Sequence, residues 1–233
     1  NKNFPDKGDN VTIHQMDTVG VSEQSSGQSQ AWDYRNKLTI QNSIVQHYMA
    51  PSTASGSSSF PNADLASRTG PKGSIVGFYK ESSNKIETIG EFIPLQIANF
   101  NVKYSNPMTI LEAPMSYQDS FYDEYQGKEQ KTISGQTVIK KITGYRAVKF
   151  DGTGTLKMDS GDFKNVRRIK VNYKRIDSTI TIIQGTRTPN VVETNSINYG
   201  WYLKDSKHPL FAVTYTTNKT AVGNTFTKSV QMT

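Results

Sequence analysis

The sequence predicts an all-β protein, an antiparallel β-sandwich of Greek-key or jelly-roll type in which one sheet has room to curve strongly. Three observations lead there. β-Branched and aromatic residues dominate every apolar stretch, and turn residues interrupt them at short intervals. No apolar stripe of period 3.6 runs for the length of a normal helix. The 233 residues include 12 Tyr, 10 Phe and 2 Trp, enough large side chains to build a core. All-β chains of this length are commonly one domain, so 1–233 is read as a single unit.

The segment 166–176 is the clearest strand. Ile169, Val171 and Tyr173 alternate with Arg168, Lys170, Asn172 and Lys174, so one face is expected dry and the other wet. Gly154-Thr155-Leu156-Lys157-Met158 alternates in the same way, and Asp159-Ser160-Gly161-Asp162 between the two is turn chemistry. Residues 145–176 therefore read as a pair of hairpins, with Asp151-Gly152-Thr153-Gly154 as another tight turn. Further strands are expected at 38–48, 75–80, 84–93, 95–105, 107–112, 120–134 and 136–150. Toward the end they are expected at 179–184, 196–204, 209–217 and 223–231. Short connections suit a meander or Greek key. The exception is 50–73, a Ser- and Pro-rich stretch expected to be a long surface loop pinned by Phe60 and Leu65.

Composition excludes several classes. With no cysteine there are no disulfides, thiolate metal sites or cysteine nucleophiles. No apolar run reaches the roughly 20 residues of a membrane-spanning helix. The net charge of +7 is spread along the chain without the concentrated patch of a nucleic-acid binder; its densest cluster, Arg167 to Arg175, reads as a solvated strand face. His14, His47 and His208 share no ligand spacing with carboxylates, and no P-loop, dinucleotide fingerprint or nucleophile elbow is present. No metal, cofactor or catalytic residue is expected, and the chain is read as a non-enzyme.

One constellation suggests ligand chemistry. Asp119, Asp123 and Glu124 are interleaved with Tyr117, Phe121, Tyr122 and Tyr125, the mixture that glycan sites use: rings stack on sugar faces while acids bond hydroxyls. Strand alternation explains the same pattern. Tyr199 and Trp201 share one face of a later strand and Tyr202 the other, so one of these faces is core and an exposed aromatic opposite it is a ligand candidate. The candidate ligand-binding residues are thus Tyr117, Phe121, Tyr122, Tyr125 and Tyr202.

Three stretches stand out together: Gly27-Gln28-Ser29-Gln30-Ala31-Trp32-Asp33-Tyr34; Asp151-Gly152-Thr153-Gly154-Thr155-Leu156 with Gly161-Asp162-Phe163-Lys164-Asn165-Val166-Arg167-Arg168-Ile169-Lys170; and Tyr199-Gly200-Trp201-Tyr202 followed by Pro209-Leu210-Phe211. In this order they resemble stretches of secreted Bacteroidota proteins of unknown function. The chain departs at Arg167, where that pattern has an aliphatic residue. The resemblance implies export, often through type IX secretion with a C-terminal sorting domain, and no known activity. It also implies that Asp17-Thr18-Val19 and Asp177-Ser178-Thr179 are O-glycosylation sites, at Thr18 and Ser178. The polar start at Asn1 then fits a removed signal peptide. The expected role is that of a secreted or cell-surface, non-catalytic structural or adhesive component of the envelope, self-assembling or bound to a glycan. A carbohydrate-binding module and a carrier whose curved sheet wraps a hydrophobic ligand are the alternatives.

Overall fold

The computed structural model describes residues 4–71 and 73–233. Its strands are β1 (Asn10–Met16), β2 (Gly27–Asp33), β3 (Ile40–Met49), β4 (Leu65–Thr69), β5 (Val76–Glu81), β6 (Lys85–Pro94) and β7 (Asn99–Glu112). Then come β8 (Ser120–Ile133), β9 (Gln136–Met158), β10 (Gly161–Ile183), β11 (Thr186–Tyr202), β12 (Phe211–Thr220) and β13 (Gly223–Met232). Helix is limited, among the described residues, to the 3₁₀ turns Pro51–Thr53 and Ser57–Ser59, so no helix is long and apolar enough to cross a membrane.

The architecture is a closed barrel and not the expected sandwich. Every strand except β2 pairs antiparallel with the next, and the ring shuts where β1 meets β13, with His14 opposite Met232 and Met16 opposite Val230. Twelve strands form the wall. β2 lies outside it, parallel to the far end of β9, with Trp32 opposite Leu156. Sandwich and barrel impose the same two-residue alternation on each strand. What separates them is the β1–β13 seam, a pairing between residues about 215 positions apart, of which local pattern carries no trace.

Two local expectations also change. Asp151 to Gly154 is not a turn: β9 runs through it, and neither glycine has positive φ. The glycines are there for close approach. A β-carbon on Gly152 would sit 2.9 Å from the Trp32 ring, and one on Gly154 would collide with the Gln30 backbone of β2. Residues 107–112 join 99–105 as one strand through a bulge near Asn106, and 65–69, expected within the loop, is β4.

Apolar surface is buried in three places, two of them outside the wall. Residues 50–64 lie over the outer face of β4–β6, where Phe60 stacks on Phe78 at 4.2 Å beside Ala66, Val76 and Phe92. The segment 17–34 and the β9–β10 tip cover outward residues of β1 and β11–β13: Trp32, Tyr34, Leu156 and Val166 meet Met16, Trp201, Phe211, Val213 and Val230. Residues from 27–34, 151–170 and 199–211 converge on this second cluster. The third lies inside the barrel.

The second cluster holds Arg168, which alternation placed on the wet face; it is 1% exposed because segment 17–34 lies over that face. Its guanidinium bonds both oxygens of Asp151 (2.8 and 3.0 Å) and the carbonyls of Glu23 and Gln24, with Trp32, Tyr199 and Trp201 rings around it. Every guanidinium nitrogen has a partner. Removing one member of a buried pair leaves an uncompensated charge. Asp151→Ala should therefore destabilise by roughly 3–5 kcal/mol in urea titration, and Asp151→Ala with Arg168→Met should recover much of that loss.

Candidate functional site

A twelve-strand ring is wider than its own side chains can fill; eight strands is about the size that packs solid. One end of this barrel is nevertheless filled. Phe100, Val102, Tyr104, Tyr125, Val138 and Ile142 form the internal cluster. Above it Arg175 of β10 reaches Glu91 of β6 through two hydrogen bonds of 2.8 and 2.9 Å, crossing the lumen over three intervening strands. Tyr104 donates to the same carboxylate at 2.8 Å, Arg175 also bonds Asp177, and Asp177 pairs with Lys140. Burial alone would lower the pKa of Arg175, but the hydrogen bonds and charge of Glu91 outweigh it and leave the pKa raised.

Stacked tyrosines complete this layer. Tyr125 lies against Tyr104 and Tyr173, and its hydroxyl reaches Lys174 O on β10 past Gly144 of β9. Any β-carbon at Gly144 would strike that carbonyl.

Beyond the tyrosines the barrel is hollow. Inward residues of β9, β10 and β11 (Val148, Phe150, Ile169, Val171, Tyr202) line a cavity of about 260 Å³, just below the roughly 300–1,000 Å³ of ordinary small-molecule sites. Leu111 of β7 and Tyr48 of β3 close its sides. Phe4 and Pro5 form part of the roof: the Phe4 ring sits edge-on to Tyr48 and Tyr79 at 6.2 and 5.5 Å. A clasp holds that segment. Lys207, in the loop after β11, bonds Asp6 at 2.6 Å and Asp9 at 2.8 Å, and these bonds hold the Asp9 carboxyl below its ordinary pKa of 3.8.

Two polar groups at the cavity lack partners among the described residues. Arg146 points in from β9 and makes no hydrogen bond or ion pair with the described residues; its Nε is buried and unbonded, and the surface it keeps faces the cavity. Burial lowers its pKa, yet a guanidinium stays charged in proteins. A charge so enclosed costs several kcal/mol unless something pairs with it. Asp123, directly opposite on β8, bonds the Thr109 amide at 2.6 Å instead. His208 also lines the cavity, its Nε2 buried without a partner and its ring 5.5 Å from Tyr48.

The five residues selected from sequence do not assemble. Phe121 and Tyr125 face inward on β8, Tyr125 deep in the internal cluster, while Tyr122 points outward and is 60% exposed. Tyr117, in the loop before β8, packs edge-on to Phe150 at 6.0 Å. Tyr202 alone of the five lines the cavity. Thr18 lies in segment 17–34, its carbonyl accepting from Lys228, and Ser178 is half-buried within the sheet opposite Lys141. Asp119 bonds the Ser116 amide, and Glu124 accepts from Tyr122. Among the described residues no three His, Asp or Glu side chains group as metal ligands.

Sequence reasoning missed Arg146, His208 and Phe4. Arg146 did leave a signal: it interrupts the inward series Ile142, Val148, Phe150 with a charge.

No family model, curated protein or solved structure matches this chain.

Burial keeps the His208 imidazole below its ordinary pKa of 6.5, so the folded state resists a proton that the unfolded chain accepts. The sign follows: this contribution is intact above about pH 6.5 and is lost as pH falls below it. Melting temperature measured from pH 8 to pH 5 should decline on the acid side, and His208→Phe should flatten that part of the decline.

Proposed function

We propose that the protein is a non-catalytic binding protein that carries a small, largely apolar ligand inside the barrel. The observation that carries this reading is the half-filled lumen: one end packed solid and the other a roofed chamber with aliphatic and aromatic walls. Natural cores close such space, since a void forfeits packing on every side. The outer wall supports the same reading. Outward positions of β8–β10 carry Glu124, Lys128, Lys141 and Lys174 at mid-strand, a pattern suited to water and costly in a lipid-facing belt. The roof, held by one lysine on two aspartates, is the natural way in.

A fluorescent apolar probe should bind with one-to-one stoichiometry. Ile169→Trp, which fills the chamber, should abolish binding while leaving the far-ultraviolet spectrum unchanged. Lys207→Met should speed probe release in stopped flow without changing stoichiometry. Unaltered probe binding by the Ile169→Trp protein would place the ligand elsewhere.

A second reading rests on a separate observation. Across the bare outer wall, Tyr122 stacks on Tyr145 at 5.4 Å and Tyr215 on Phe226 at 6.4 Å; Asn172, Asn195 and Ile197 lie in the shallow groove between the pairs. Two exposed aromatic platforms flanking amide groups are suited to a glycan chain. On a glycan array, Tyr122→Ala and Phe226→Ala should each erase any signal that belongs to this groove.

A further inference from the structure

Resting on the carrier reading, we infer that the chamber's ligand is an amphiphile with a single negative charge, an aliphatic carboxylate whose head sits on Arg146 and whose chain lies along Phe150 and Ile169. Arg146 is the one guanidinium facing the chamber, among the described residues, that has neither an acid nor an aromatic ring for a partner. Arg167, at the chamber's edge, has its guanidinium over the Phe150 ring at 5.8 Å, and Lys207 is neutralised by Asp6 and Asp9.

Glu112 and Asp205 also line the cavity, but neither bonds Arg146, and the carboxylates nearest on the neighbouring strands are occupied. Glu91 is held by Arg175 and Tyr104, and Asp123 by the Thr109 amide. The guanidinium fork is thus left to an incoming acceptor, and its planar donors match the two oxygens of a carboxylate. Beyond the fork, Val148 and Phe150 of β9 and Ile169 and Val171 of β10 give the chamber apolar walls, with Arg167 at its edge held over the Phe150 ring. One unmatched positive charge at the end of an apolar chamber matches one negative charge at the end of an apolar chain. A dianion would need a second free cation there.

Calorimetric titration with octanoate and octanol, equal in length and differing in the head, tests this. The wild-type protein should bind octanoate at least tenfold more tightly than octanol. Arg146→Met should lose that preference while still binding octanol, and Arg146→Lys should keep part of it. Melting curves of the variants establish that they remain folded, and a misfolded Arg146→Met leaves the Arg146→Lys comparison to decide. Equal affinities in the wild type, or a preference for octanoate that survives Arg146→Met, would overturn the inference and leave the carrier reading standing. If the wild type takes up neither octanoate nor octanol nor the apolar probe, the carrier reading falls and the inference with it.

Discussion

The Arg175–Glu91 pair is the strut on which the interior is organised. It joins β10 to β6 across the lumen, draws in the Tyr104 hydroxyl, and connects through Asp177 to Lys140. Buried ion pairs are weak sources of net stability and strong sources of specificity. A ring of twelve strands can flatten, ovalise or shear while keeping its ladder bonds; a bidentate contact across it permits only one separation of the two walls. Tyr104, Tyr125 and Tyr173 stack at that separation, and the apolar cluster beneath fills what remains. The chamber exists because this filling stops at Arg146.

Apolar burial is distributed unusually. Two of the three clusters lie on the outside of the wall, under segments 17–34 and 50–64, and these segments come from long connections in an otherwise tight meander. Cladding relieves the lumen of supplying the whole core, so the inside is free to hold a charge and a cavity. The wall left bare, across β8–β10, carries the lysines and glutamate that water requires.

Strand identity was legible in the sequence because each residue of a strand reports which face it occupies. β8, β12 and β13 lie close to their expected limits, while 166–176 and 179–184, expected as separate strands, are one strand from Gly161 to Ile183; Ile169, Val171 and Tyr173 share the inward face as their alternation required. Closure was not legible, since it depends on the ends of the chain meeting. Arg168 was misplaced because alternation gives only two faces and says nothing of a segment 145 residues away lying over one of them. The five aromatics chosen for ligand binding were picked by sequence proximity, yet neighbours on a strand point to opposite sides: Tyr122 and Tyr125 are separated by the thickness of the wall. The residues that line the chamber come from six places in the chain and share no motif.

The seam between β1 and β13 has a consequence for how the barrel is made. Every other wall contact joins strands that are neighbours in the wall's order along the chain and can zip in succession, while this one joins strands about 200 residues apart. Long loops cost entropy before any contact returns it, and such topologies fold slowly. A ribosome delivers β1 first and β13 last, so throughout synthesis a growing sheet, eleven strands wide by its end, waits with both margins unpaired. Margins of that kind recruit other strands. Pro189, near the tip of β11 where no β12 residue is opposite, shows one margin guarded by a residue with no amide to donate. The seam has no such guard, because in the finished molecule each side is the other's protection.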